Sequence, residues 1–250
     1  MKTIAVTNRK GGVGKSTTAL NLAAGLTQRG YKTLVIDTDP QGNLTDTMRA
    51  DNEPLGTFDL LKGTEPSKVI KTTPQGDLTA STDNLALAGV TFTETGKEYK
   101  LAEALQPLQG QYDYCIIDTP PALDVLTLQA LTAADYVIIP TQPDIYGIKG
   151  IRKLEQTIET IRKYCNPKLT IAGVLVTRYR ASTVKNETIE YLATVAKEQL
   201  HSRLFETYIR ECNALFEAQV LKTDIYTHAP KSNATADYRA FTDELLQAIQ

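Results

Sequence analysis

The sequence predicts an α/β fold built on a parallel sheet, and three observations support that prediction. A short β-branched run, Thr3–Thr7, is followed by a glycine-rich turn and then by Ala19–Leu26, which has helical spacing. Two more apolar runs, Thr33–Asp37 and one ending at Asp118, lack polar alternation, as is typical of strands buried on both faces. With 250 residues and 42% hydrophobic content, one sizeable core is expected, so residues 1–250 are predicted to form a single domain.

Composition argues against several classes of protein. The net charge of −2 and the pI of about 5.8 are not those of a strongly basic nucleic-acid-binding protein, although a local basic patch is compatible with them. Cys115, Cys165 and Cys212 lie far apart, which favours reduced thiols, and His201 and His228 have no metal-ligand spacing. We expect no signal peptide, because the chain enters a strand at once, and no membrane span.

The stretch after the first strand has the pattern of a phosphate-binding loop. From residue 10 it reads Lys-Gly-Gly-Val-Gly-Lys-Ser-Thr-Thr. Glycines allow successive backbone N–H groups to point inward, and the following helix adds its positive end. The pattern predicts that Lys15 contacts the β- and γ-phosphates of a nucleotide and that the Ser16 hydroxyl coordinates Mg²⁺. The predicted nucleotide-binding residues of this loop are Lys10, Gly11, Gly12, Val13, Gly14, Lys15, Ser16 and Thr17.

The loop departs from the usual pattern at its first position. Arg9 stands where the first glycine is expected, and a second lysine, Lys10, follows it. This resembles the deviant Walker A loop of the ParA/MinD group of ATPases. The resemblance implies that Lys10 reaches across a dimer interface to the partner's nucleotide, so Lys10 and Lys15 are both expected in catalysis. The alternative is a surface lysine beside an ordinary glycine turn.

Carboxylates follow two of the predicted strands. Residues 37–42 read Asp-Thr-Asp-Pro-Gln-Gly, which is similar to a motif of ParA-like partition ATPases. That resemblance implies that Asp39 positions the attacking water and that Asp37 lies closer to the metal. Asp118, followed by Thr-Pro-Pro, resembles the Walker B acid and is expected to hold Mg²⁺ through a water. Each acid could instead cap a helix or a turn.

The remaining chain alternates between strand and helix patterns. Residues 44–100 are less regular, with short helices and one strand near 78–81 expected there. The counterpart of this segment in the family lies near the dimer face. Further predicted helices are 101–108, 148–164, 184–200 and 234–249, and further predicted strands are 136–140, 169–177 and 204–209.

The resemblance to ParA/Soj-like partition ATPases extends over nearly the whole chain and is weakest from 52 to 95. It implies a P-loop NTPase fold of the deviant Walker type: a mostly parallel, twisted sheet flanked by helices on both faces. Arg178 and Arg210 then fall near the nucleotide base. The family also implies ATP and Mg²⁺ as cofactors, an ATP-dependent homodimer, non-specific DNA binding, a ParB-like adaptor, and a cytoplasmic, nucleoid-associated location. Slow, partner-stimulated ATP hydrolysis is expected.

The resemblance does not identify the cargo that the protein positions. Three other classes of protein are alternatives to a partition ATPase. A MinD-like membrane switch is disfavoured because the tail, 237–250, has one arginine and three acids. An iron–sulfur carrier needs clustered cysteines, and a biosynthetic ligase has no reason to keep the 37–42 motif. Since the chain starts almost at its first strand, no helix-turn-helix is expected.

The DNA-binding surface is the least defined feature. Lys149–Lys168 contains six basic residues and two acids, so it is either a DNA patch or a solvated helix face. Arg203 and Lys222 are further candidates. Glu211 and Ala214 stand where Soj-like relatives have basic residues.

Overall fold

The computed structural model describes residues 1–249, except for the side chains of 145–149 and 183–186. Over the described range the strands form one seven-stranded sheet. They are β1 (Lys2–Val6), β2 (Thr33–Asp37), β3 (Ile70–Thr73), β4 (Gly76–Thr79), β5 (Tyr114–Asp118), β6 (Tyr136–Thr141) and β7 (Thr170–Val176). Their spatial order is β3-β4-β2-β5-β1-β6-β7, and all neighbours are parallel except β3 and β4.

Helices connect and cover these strands. The α-helices are α1 (Lys15–Gln28), α2 (Asn43–Thr47), α3 (Thr57–Leu61), α4 (Pro66–Val69), α5 (Ala88–Thr91), α6 (Lys100–Leu105), α7 (Val125–Ala133), α8 (Ile145–Tyr164), α9 (Thr183–Glu198), α10 (Asn213–Val220), α11 (Ile225–His228) and α12 (Asn233–Ala248). Short 3₁₀ turns occupy Asp83–Leu87, Lys97–Tyr99 and Gln106–Leu108. In the part of the chain that the structure describes, no helix is both long and apolar enough to cross a bilayer.

Both faces of the sheet are buried, as the lack of alternation between apolar and polar residues in the strands predicted. Ile116 packs in a core with α1, α11 and α12, whereas its neighbours Cys115 and Ile117 pack in a core with α3, α6 and α7. A third core joins β6 and β7 to α8 and α9. The predicted fold class, a mostly parallel sheet with helices on both faces, is therefore confirmed.

The strand order brings three strand ends together. β5 lies between β1 and β2, so Val6 and Asp37 both stand in register with Asp118. In open parallel sheets, ligands gather at the carboxyl ends of strands where the order of connections reverses. Here that edge carries the glycine-rich loop and the acids of β2 and β5.

The predicted strand 204–209 is wrong as a continuous strand. It pairs with the sheet through isolated bridges at Leu204 and Arg210. Between them, the backbone N–H groups of Glu206 and Thr207 donate to the Glu244 carboxylate, at 2.7 and 3.0 Å, instead of to β7. A side chain 37 residues away thus interrupts the ladder. β3 was not predicted, because its four residues, Ile70–Thr73, are half-buried or exposed and have no apolar face.

Gly56 is the position where a methyl group would be least tolerated. A Cβ there would lie 2.1 Å from the Ala80 carbonyl oxygen, to which the Thr57 amide donates. Because the Ala80 oxygen is a backbone atom that cannot move aside without losing this hydrogen bond, Gly56→Ala should separate α3 from the end of β4 and lower the free energy of unfolding by about 3 kcal/mol.

Urea unfolding measures this effect. Gly89→Ala in the exposed helix α5, where a Cβ meets no described atom within 4 Å, is the matched control and should be neutral or mildly stabilising. Equal stability of Gly56→Ala and wild type would contradict the contact.

Candidate nucleotide site

The loop between β1 and α1 has the geometry that anion binding requires. Gly12 and Gly14 have φ values of 72° and 85°, which strongly favour glycine, and Gly14 directly precedes α1. A Cβ at Gly11 would meet no described atom within 4 Å, so the loop faces open space. Lys15 and Ser16 form the first turn of the helix, where unpaired N–H groups and the helix dipole favour a phosphate.

Two buried polar residues fix this loop. Asn8 accepts a hydrogen bond from the Lys10 amide at 3.0 Å, while its side-chain amide donates to the Pro140 carbonyl at 2.7 Å. Thr177, at the end of β7, donates to the Val13 carbonyl at 2.8 Å. Neither Asn8 nor Thr177 was identified from the sequence, because both act through contacts with distant backbone groups.

Asp118 is fully buried, and neither of its carboxylate oxygens has a hydrogen-bond partner among the described residues. Burial raises its pKa well above the ordinary value, and the neighbouring Asp37 adds to the effect. The Ser16 hydroxyl lies close enough to lower that pKa, but outside hydrogen-bonding geometry. Burial lowers the pKa of Lys15, which is opposed by Asp118 and Asp39.

These residues fit a magnesium ion. A buried carboxylate without partners requires charge compensation, and Mg²⁺ characteristically binds through one or two carboxylates together with substrate phosphates. Among the described side chains, no group of three His, Cys, Asp or Glu residues could hold a metal ion by itself. Ser16, Asp118 and a bound phosphate would therefore have to act together.

Asp37 is placed differently from Asp118. Its Oδ1 accepts from the Asp39 amide at 3.0 Å, and its Oδ2 accepts from the Thr45 amide and hydroxyl at 2.9 and 2.7 Å. Burial raises its pKa to about 6, against the opposing effect of the Thr45 hydrogen bonds. This geometry suits a residue that holds the Asp39 segment, and the predicted place of Asp37 at the metal stays a prediction.

Asp39 lies on the wall of the cleft that the glycine loop opens into. Its Oδ1 accepts from the Gln41 amide at 3.0 Å, and the Ser81 hydroxyl donates to its carbonyl oxygen at 2.8 Å. The residue is only 7% exposed. The carboxylate is thus held in the same cleft as Lys15 and Ser16, where a water-positioning group would be needed.

The cleft has a volume of about 540 Å³ and extends from the glycine loop to the ends of β7 and of the segment before α10. It brings together most of the predicted site: Gly11, Gly12, Gly14, Lys15, Ser16, Thr17, Asp39, Arg178 and Arg210 all line it. Arg178 has a left-handed backbone, with φ of 50°, and Arg210 forms an ion pair with Asp237 of α12. Phe216, 70% exposed, lies at the rim.

Lys10 lies outside the set of residues that line the cleft. Its Nζ is 2.6 Å from Asp144 Oδ2 and 3.5 Å from Gln142 Oε1, both on the loop after β6. The Gln142 amide in turn donates to the Gly12 carbonyl at 3.1 Å. The second lysine is therefore held outside the cleft lining by side chains of its own chain.

The basic candidates for DNA binding are dispersed over the surface. On α8, Arg152, Lys153 and Lys163 are exposed, and Arg203 is exposed elsewhere. The side chain of Lys149 lies outside the described residues. Lys222 is ion-paired with Asp46.

The chain is similar to known proteins along its whole length. The profile of a family described as an AAA domain matches residues 1–171. The chromosome-partitioning ATPase Soj of Thermus thermophilus is 36% identical over 250 residues, covering 100% of this chain and 97% of Soj.

Two solved structures resemble the fold closely. Cobyrinic acid a,c-diamide synthase of Mycobacterium smegmatis, with bound ATP analogue and magnesium, is 33% identical with a TM-score of 0.88, over 99% of this chain and 94% of that one. A plasmid partition protein of Borrelia burgdorferi bound to AMPPNP is 25% identical with a TM-score of 0.81, over 99% of both chains. The prediction of ATP and Mg²⁺ agrees with the ligands of these relatives.

Proposed function

Because the chain belongs to the ParA/Soj family of P-loop ATPases, we propose that it is an ATP-dependent dimerising switch that positions DNA. In this proposal it hydrolyses ATP with Mg²⁺, slowly until a partner stimulates it. The ATP-bound homodimer binds DNA without sequence preference, and a ParB-like adaptor links it to a plasmid or chromosome. In the cell, this protein would lie in the cytoplasm and associate with the nucleoid.

The position of Lys10 is the observation that supports this switch most strongly. Lys15 is buried at the start of α1 and already supplies a cation to the chain's own phosphate site. The Lys10 side chain is 28% exposed and is held by an ion pair with the partly exposed Asp144 and by a long contact with Gln142. Such ion pairs contribute little stability, so Lys10 is readily released. A second cation that does not act on its own chain's nucleotide is available to act on the partner's nucleotide across a dimer interface.

The chemistry at the phosphate end follows from the residues present. The loop amides and Lys15 would hold the β- and γ-phosphates, and Ser16 and Asp118 would organise the cation. Magnesium, when bound, would neutralise charge that develops on the transferred phosphoryl group. Asp39 would orient the attacking water, so that positioning and charge contribute most of the rate.

For DNA binding, exposed basic residues on α8 offer the best surface among the described residues. Dimerisation doubles any such patch, so Arg152, Lys153 and Lys163 of two subunits could act together. By contrast, Glu211 pairs with Arg180 and reduces the positive charge beside α10. The chain's net charge of −2 makes moderate, salt-sensitive affinity the expectation.

We expect a mobility shift of non-specific duplex DNA with Mg-ATP at low salt and none with Mg-ADP. The logarithm of affinity should fall with log salt at roughly 0.9 per neutralised phosphate. Arg152→Ala/Lys153→Ala should reduce that slope, whereas Lys68→Ala, an exposed lysine on α4, is the matched control. Absence of a shift with ATP at low salt would reject the DNA-binding proposal and favour a protein or membrane-associated cargo.

The synthase among the solved relatives suggests a simple control. Cobyrinic acid, the compound in its name, should leave the rate of ATP hydrolysis unchanged. A rate that rises with this acid would favour a ligase over a positioning switch.

A further inference from the structure

Asp237 of α12 holds both the side chain and the backbone of Arg210. Arg210 Nε lies 3.1 Å from Oδ1 and 3.0 Å from Oδ2, and Nη2 lies 2.6 Å from Oδ1. The Arg210 backbone amide also donates to Oδ2 at 3.0 Å. Asp237 is 8% exposed, whereas the Arg210 side chain is 45% exposed. One nearly buried carboxylate thus fixes an arginine that itself reaches solvent.

The segment fixed in this way forms part of the wall of the cleft. The Tyr179 amide donates to the Ile209 carbonyl and the Glu211 amide to the Tyr179 carbonyl, each at 3.0 Å, so the end of β7 holds it from one side. Asp237 holds it from the other side. Residues 209–213 line the cleft, and α10 begins immediately afterwards.

The orientation of a nucleotide in this cleft follows from the residues that line it. Lys15, Ser16 and Asp39 line the cleft and are suited to phosphates and a cation. The ribose and base would then lie against the remaining lining of the same cleft, which includes Arg178 and Arg210. Nε and Nη2 of Arg210 bond to Asp237, and Nη2 also lies 3.4 Å from the Asn233 carbonyl oxygen, whereas Nη1 has no hydrogen-bond partner among the described residues.

We propose that Asp237 is the positioning residue of the base end of the site, acting through Arg210 and the 209–213 segment. This inference rests on the proposed ATP binding. Charge-assisted, two-pronged contacts between carboxylate and guanidinium fix geometry more strictly than neutral hydrogen bonds. Without the charge on residue 237, the arginine and its backbone would be less constrained, and the wall that faces the base would be poorly formed.

The test compares two probes that share the phosphate contacts, of which only one carries a ribose and a base. Wild type, Asp237→Asn and Arg210→Ala are titrated calorimetrically with Mg-ATP and with magnesium and inorganic tripolyphosphate. Asp243→Asn is the matched control, because Asp243 lies on the same helix but pairs with Arg29 on the surface. Thermal unfolding of each variant is recorded in parallel.

We expect Asp237→Asn and Arg210→Ala to weaken ATP binding by about tenfold and to leave tripolyphosphate binding within about twofold of wild type. Asp243→Asn should match wild type with both probes. Equal losses for both probes would show that Asp237 acts only through general stability, and unchanged ATP affinity would overturn the inference directly. If wild type binds neither probe, the proposed ATP binding itself fails.

Discussion

Replacing Asp39 by alanine should abolish ATP turnover while ATP binding and dimerisation persist. A group that positions the attacking water contributes about 100-fold or more to the rate, so phosphate release should fall by at least that factor. The dimer would then accumulate with unhydrolysed ATP bound. Phosphate release under saturating Mg-ATP measures the effect.

The structure indicates that this variant will fold. The hydrogen bonds from the Asp39 amide to Asp37 and from Ser81 to the Asp39 carbonyl involve backbone atoms and remain possible with alanine. Among the described residues, the hydrogen bond from the Gln41 amide to the carboxylate is lost, at about 1 kcal/mol, together with the electrostatic attraction to Lys15. Asp46→Asn, a nearby exposed acid paired with Lys222, is the control and should hydrolyse ATP normally. An unchanged rate for Asp39→Ala would refute its role.

Replacing Lys10 by alanine should prevent the ATP-dependent dimer and lower hydrolysis. An arginine finger in GTPases raises the rate by about 10³–10⁵, and we expect a smaller loss here because the hydrolysis proposed for this chain is slow. Monomer fold and ATP binding should persist, since Lys15 remains in the loop. Light scattering with a slowly hydrolysed ATP analogue measures the mass, and Arg9→Ala, an adjacent exposed cation, is the control.

A second substitution separates the proposed role of Lys10 from a structural one. If Lys10 served only to hold the loop after β6, Asp144→Asn would remove the same ion pair and reproduce the defect. If Lys10 acts on a partner's nucleotide, Asp144→Asn should still dimerise with ATP. A Lys10→Ala variant that dimerises normally would contradict the assignment.

The sequence predicted those parts of the fold that depend on local pattern. Continuous apolar runs and a glycine-rich turn were sufficient to predict the sheet, its burial on both faces and the loop at the start of α1. Since parallel strands end at one edge, the cleft collects Lys15, Ser16 and Asp39 as expected.

What the sequence did not reveal depends on contacts between distant residues. Glu244 interrupts the ladder that 204–209 would otherwise form, and Thr45 and the Asp39 amide occupy the oxygens of Asp37. Asp237 counted only as one of the acids in the C-terminal helix, because nothing in the helical pattern shows that it meets Arg210. Such pairings become visible only when the elements are packed.

The mass of the Asp39→Ala chain in solution tests the central claim most directly, because hydrolysis cannot return it to the ADP state. With Mg-ATP, light scattering should give twice the 27.5 kDa of one chain, and with Mg-ADP it should give 27.5 kDa. The same single-chain mass with both nucleotides, under conditions where ATP is shown to be bound, would contradict a nucleotide-controlled dimer.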